Sequence, residues 1–158
     1  MNILFVCTGN TCRSSMAEGI ARHLLTQGGL EKSITVSSAG VRAWAGAPAS
    51  EEAIDALAKA GIELFGHQAR RLTPEIVENA DLVLTMTQQH RQDVLALVPA
   101  AKTKVFVLKE YVGISDSSEV NPDIADPIGG SLDVYRAVAQ ELQECIQRFI
   151  EQSVLESK

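Results

Sequence analysis

The sequence predicts an α/β protein, a three-layer sandwich in which a four-stranded parallel sheet carries helices on both faces. Short apolar runs of strand length alternate along the chain with segments whose apolar residues recur every three or four positions. The first run, Ile3-Leu4-Phe5-Val6, is apolar without interruption, as expected for a strand covered on both faces. Polar, Gly-containing loops separate the elements, and no internal repeat is present.

After that first strand, Met16, Ile20, His23, Leu24 and Leu25 fall at helical spacing between about Ser14 and Gln27, and Gly28-Gly29 gives the stop signal. Ser33 to Ala39, rich in β-branched and small residues, reads as the second strand, followed by the loop VRAWAGAPAS. Ser50 caps a helix over EEAIDALAKA that Gly61 closes. Thr73 and Pro74 form a cap and first-turn pair for a short helix through about Asn79. Asp81 to Met86 reads as the third strand, Gln88 to Leu97 as a helix ended by Pro99, and Lys104 to Leu108 as the fourth strand. A long loop from about Glu110 to Gly130 precedes a final helix, capped by Ser131, with Val134, Val138, Leu142, Cys145, Ile146 and Phe149 on one apolar face.

The length of 158 residues suits one domain spanning 1–158, with hydrophobic residues at 46% and charged residues at 22%, ordinary proportions for a globular protein. No apolar run approaches the roughly 20 residues needed to cross a bilayer, and no secretory signal opens the chain. A cytoplasmic protein without membrane contact is expected. The net charge of −6 disfavours broad binding to nucleic acid, which needs a dense positive surface. Three cysteines, an odd number, do not suggest a disulfide framework, and no Cys-His cluster completes a metal site.

Ligands of parallel α/β sheets bind at the carboxyl ends of the strands, where the first strand runs into CTGNTCRS. Cys7 and Arg13 bracket five residues, and Ser14 stands at the start of a helix. Backbone N–H groups at such a place can curve round an anion, and the helix dipole adds positive potential, which suits a phosphate-sized dianion. The same groups, with Arg13, favour Cys7 as a thiolate nucleophile. The planar fork of Arg13 can follow phosphoryl oxygens into a five-coordinate transition state. Gly9 and Asn10 supply unusual backbone angles. A Cys closing a buried strand is also an ordinary small apolar residue. The loop is not of the GxxxxGK[ST] kind, because no second Gly and no Lys follow.

VCTGNTCRSSMAE resembles the phosphate-binding loop of the low-molecular-weight protein tyrosine phosphatases. SSAG at 37–40, HQARRLT at 67–73, DLVLTMTQQH at 81–90 and DPIGGSLDVY at 126–135 extend the resemblance over nearly the whole chain. Leaving-group protonation needs a carboxylic acid. Both Asp123 and Asp126 lie in the loop before the last helix, and the resemblance selects Asp126, in the Asp-Pro pair, as the general acid. It further implies that Thr8, Gly9, Asn10, Thr11, Cys12 and Ser14 wrap the phosphoryl group, that Trp44 contacts substrate, and that Asn10, Ser14, Ser38 and His67 support the loop. The implied chemistry is a phosphocysteine mechanism without metal or cofactor. Cys12 is either a packed small residue or, as the family implies, the redox partner of Cys7.

The substrate residue is read at position 11. Tyrosine-type members carry Ile or Leu there and aromatics after the Asp-Pro pair, whereas Thr11 and Ile128-Gly129-Gly130 resemble the bacterial protein arginine phosphatases, as does VFVLKEYVG at 105–113. HQARRLT is more like the tyrosine-type members, and Trp44 can stack on a phenol or a guanidinium. A protein arginine phosphatase acting on phosphorylated proteins as a monomer is therefore expected, with a tyrosine phosphatase as the alternative. An arsenate reductase needs further resolving cysteines, and none occurs between Arg13 and Glu144. A non-catalytic phosphate-binding module requires neither Cys7 nor Asp126.

Overall fold

In a computed structural model that describes residues 1–114 and 121–156, the elements run β1 (Asn2–Cys7), α1 (Arg13–Gln27), β2 (Thr35–Gly40), α2 (Glu51–Ala58), α3 (Pro74–Asn79), β3 (Leu82–Thr85), α4 (Gln88–Leu97), a 3-10 turn (Pro99–Thr103), β4 (Val105–Val107), α5 (Leu108–Tyr111) and α6 (Leu132–Glu156). All neighbouring strands pair in parallel in the order β2-β1-β3-β4. The expected α/β sandwich is thus present.

The uninterrupted apolar character of β1 has a direct cause in the sheet's two faces. Ile3, Phe5 and Cys7 point into one core with α1, α2, α5 and α6, while Leu4 and Val6 point into a second core with α3 and α4. Because successive side chains alternate across a strand, only a strand buried on both faces needs apolar residues at every position. The chain leaves β1 for β2 on one side and returns past it to β3 on the other, so the direction of winding reverses beside β1. That reversal opens a crevice at its carboxyl end.

The caps expected at Ser50, Thr73 and Ser131 are present, and Thr87 adds one that the sequence reading did not name. The hydroxyls of Ser50, Thr73 and Thr87 accept from Ala53 N at 3.3 Å, Ile76 N at 3.3 Å and His90 N at 3.0 Å. Ser131 accepts from Val134 N at 3.4 Å.

Four details differ from the sequence reading. Helix α1 starts at Arg13 with Cys12 as an N-cap that lacks a side-chain cap, because the preceding loop supplies the turn. Strand β2 is shifted to Thr35–Gly40. The chain turns into α5 at Leu108, where the long loop was expected to follow the strand, and residues 115–120 of that loop lie outside the described part. On α6, Val134 is 44% exposed and Tyr135 takes the inward position, so the buried face is Tyr135, Val138, Leu142, Cys145, Ile146 and Phe149. Lys109 of α5 ties this helix down through Glu141 at 2.8 Å.

Candidate active site

The segment from Cys7 to Ser14 closes a loop between the end of β1 and the first turn of α1. Asn10 sits at its centre with φ 58°, the left-handed region that Asn tolerates better than most residues. Gly9, expected to share that role, has no positive φ, and a Cβ there would meet only Thr11 Oγ1 at 3.6 Å. The glycine that the loop requires is Gly40 at the end of β2. A Cβ on it would lie 2.5 Å from Thr8 O and 2.9 Å from Asn10 N.

Hydrogen-bond accounting orients the Asn10 amide and the Ser38 hydroxyl. Arg70 N donates to Asn10 Oδ1 at 3.0 Å, which turns the Asn10 amide nitrogen toward two serines. Asn10 Nδ2 donates to Ser14 Oγ and to Ser38 Oγ, both at 2.8 Å. Ser38 passes its own proton to Glu18 Oε1 at 2.6 Å, since a carboxylate only accepts. Ser14 has its hydrogen left for Cys7 Sγ at 2.8 Å, and Asn10 N adds a second contact to the same sulfur at 3.3 Å. Cys7 Sγ thus accepts from Asn10 N and has the Ser14 hydroxyl within hydrogen-bond reach, contacts that suit a thiolate. Asn10, Ser14, Ser38 and Cys7 are all buried, so each of these groups depends on its partner.

His67 Nε2 donates to Asn10 O at 2.7 Å and joins the network from the loop after α2. His90 on α4 meets Thr8 Oγ1 through Nε2 at 2.8 Å. Burial and the nearby Arg13 charge push its pKa down to about 4, so the ring is neutral at physiological pH. Cys12 Sγ is buried with the Tyr135 hydroxyl at 3.3 Å and Ser50 Oγ at 3.6 Å. Burial and the Cys12 contact raise the Tyr135 phenol to about 12 and keep it neutral.

Arg13 is buried and turned toward the loop that precedes α6. One guanidinium nitrogen donates to Ile124 O at 3.0 Å, and another lies 3.5 Å from Asp126 Oδ2. Asp126, with a side chain 46% exposed, also accepts from Ile128 N at 3.1 Å. Asp123 accepts from Gln88 N at 2.8 Å and anchors the loop to α4. Trp44 is 84% exposed, on a segment whose neighbours are bound to the loop through Val41 N to Cys7 O, Arg42 N to Thr8 O and Ser50 N to Thr11 O.

The structure thus gathers Cys7, Asn10, Ser14, Ser38 and His67 into one network and links Arg13 to Asp126. Sequence reasoning missed Glu18, Gly40, Ser50, Arg70, His90 and Tyr135. Glu18 carried a signal, since it stands one helical turn after Ser14 on the same face of α1. Arg70 and His90 join the site through the backbone N–H of one and a hydroxyl contact of the other. No local pattern announces such contacts.

Residues 2–158 match the model of the low molecular weight phosphotyrosine protein phosphatases. A protein-arginine-phosphatase of Bacillus subtilis is 43% identical over 152 residues, covering 96% of each chain. One of Geobacillus stearothermophilus is 42% identical, covering 94% of this chain and 93% of its own. Among solved structures, a mutant of the YwlE arginine phosphatase with a phosphorylated active-site serine superposes with a TM-score of 0.89 at 42% identity, over 96% of this chain and 95% of that one. Loop, sheet and relatives agree, and the chain belongs to the low molecular weight phosphotyrosine protein phosphatase family.

Proposed function

We propose that the protein is a protein arginine phosphatase that hydrolyses phosphoarginine through a phosphocysteine intermediate. The observation that carries the chemistry is the directed network ending on Cys7 Sγ. Asn10 N donates to this sulfur, Ser14 Oγ lies 2.8 Å from it, and the N-terminus of α1 follows at the closed end of the loop. In the first step Cys7 Sγ attacks phosphorus, the P–N bond breaks, and Asp126 gives its proton to the departing guanidine nitrogen. In the second step water attacks phosphorus, Asp126 takes the proton, the S–P bond breaks and inorganic phosphate leaves. Arg13 keeps further N–H donors beyond those on Ile124 and Asp126, and these bind the equatorial phosphoryl oxygens.

The substrate assignment rests on Thr11, on the non-aromatic Ile128-Gly129-Gly130 after the Asp-Pro pair, and on the two arginine phosphatases among the relatives. A polar, small Thr11 leaves room for a planar guanidinium, whose charge Asp126 complements. In the cell the protein acts in the cytoplasm on phosphorylated proteins, as a monomer. The test is phosphate release from a phosphoarginine peptide at neutral pH by the wild type and by Cys7→Ala. Release by the first and none by the second is expected. Equal release by both would remove Cys7 as nucleophile, and none by either would remove the activity.

A further inference from the structure

We infer that a groove beside the phosphate loop binds an acidic stretch of the substrate polypeptide, close in sequence to the phosphorylated residue; this rests on the phosphatase reading above. The groove, about 290 Å³, runs between the segment after β2 and helix α4, with Val41, Arg42, Arg71, Leu72, Asp93 and Leu97 in its walls. Arg42 and Arg71 are exposed. Among the described residues neither side chain has a hydrogen bond or ion pair. In a chain with 20 acidic residues against 14 basic ones, two guanidiniums lining one groove without an ion-pair partner are a charge left for something else. Asp93 is the carboxylate in the groove, and it is engaged by Gln89 Nε2 at 3.0 Å.

The position fits a substrate flank. Val41 N and Arg42 N donate to Cys7 O and Thr8 O, each at 2.9 Å, so the groove begins directly behind the wall of the phosphate loop. Gly40, bridged to Arg71, is the residue on which Thr8 and Asn10 rest. An extended polypeptide advances about 3.3 Å per residue, so Glu placed at successive positions on either side of the phosphorylated residue samples the reach to the groove. Guanidinium forks match carboxylates in bidentate fashion, and the apolar walls from Val41, Leu72 and the half-exposed Leu97 take the methylene carbons of Glu. The overall negative charge of the protein otherwise repels an acidic segment, so the groove selects one orientation of the chain across the site.

The experiment compares kcat/KM for peptides with Glu, Ser or Lys at those flanking positions, each made with phosphoarginine and with phosphotyrosine. At low salt the wild type is expected to favour the Glu flank over the Ser flank by about 5- to 10-fold, falling toward unity at about 0.5 M salt. Arg42→Glu with Arg71→Glu should bring the ratio below one, whereas Arg42→Lys with Arg71→Lys should keep it above one. Turnover of p-nitrophenyl phosphate should be unchanged in all of them. A wild-type ratio of one or less, or the same ratio in the charge-reversed variant, overturns the inference. A preference for phosphotyrosine with the Glu ratio intact overturns the substrate assignment and leaves the groove standing.

Discussion

Asn10 and Asp126 both stand at the carboxyl edge of the sheet, and their surroundings are opposite. The Asn10 side chain is fully buried and makes three hydrogen bonds, to Ser14, Ser38 and Arg70. Asp126 is half exposed, on a loop fastened by Arg13 and by its own turn. Trp44 and Ile128, at 84% and 70% exposure, belong with Asp126 on the rim. The difference teaches a division of labour. The floor is held by its own hydrogen bonds, the arrangement that lets a site stabilise a transition state without reorganising, whereas the rim is exposed. On the proposed mechanism the floor carries the nucleophile, and the rim carries the acid together with the groups that meet the leaving group.

Removing the nucleophile of the floor has the largest expected effect. Cys7→Ala should lower kcat to background, a loss of at least about 10⁴-fold. Circular dichroism should show the fold retained, because Cys7 at the end of β1 is small. On the rim, Asp126→Asn should lower kcat by about 10²- to 10⁴-fold with melting temperature unchanged. If Asp126→Asn turned over like the wild type, the rim would hold no chemistry.

Stability separates the regions further. Asn10→Ala leaves Ser14, Ser38 and the Arg70 N–H short of partners and puts Ala at a positive φ, so urea unfolding should show a loss of about 2–4 kcal/mol. Trp44→Ala, by contrast, should change stability by no more than about 0.5 kcal/mol.

The neutral ring of His90 makes the floor sensitive to acid. Its folded pKa of about 4 lies below the ordinary 6.5, so the unfolded chain binds the extra proton first as pH falls. This contribution is present above pH 6.5 and is lost progressively between 6.5 and about 4, reaching about 3 kcal/mol at most. His90→Gln should flatten that part of the stability profile; an unchanged slope would assign it to other groups.

The fold was legible because β1 is apolar without interruption from Ile3 to Val6 and later elements carry caps at Ser50, Thr73 and Ser131. The inner site was legible where residues are adjacent in sequence, from Cys7 to Ser14, and where the family resemblance supplied Ser38 and His67. It was not legible where a backbone group or a steric limit does the work. Arg70 supports Asn10 through its N–H, which any residue but Pro provides, and Gly40 matters only because Thr8 O and Asn10 N come so close. Val134 was placed inward because the apolar stripe of α6 runs through it equally well, and the larger Tyr135 beside it took that place against Cys12.

The proposed division, a buried floor that holds the nucleophile and a rim that meets the leaving group, is tested most directly at Thr11 in the phosphate loop. The measurement is the ratio of kcat/KM for a phosphoarginine peptide over the matching phosphotyrosine peptide, in the wild type and in Thr11→Ile. The account predicts a ratio well above one in the wild type and a fall of about 10-fold or more in Thr11→Ile, with p-nitrophenyl phosphate still hydrolysed. A wild-type ratio below one, or a ratio that Thr11→Ile leaves where it was, would contradict it.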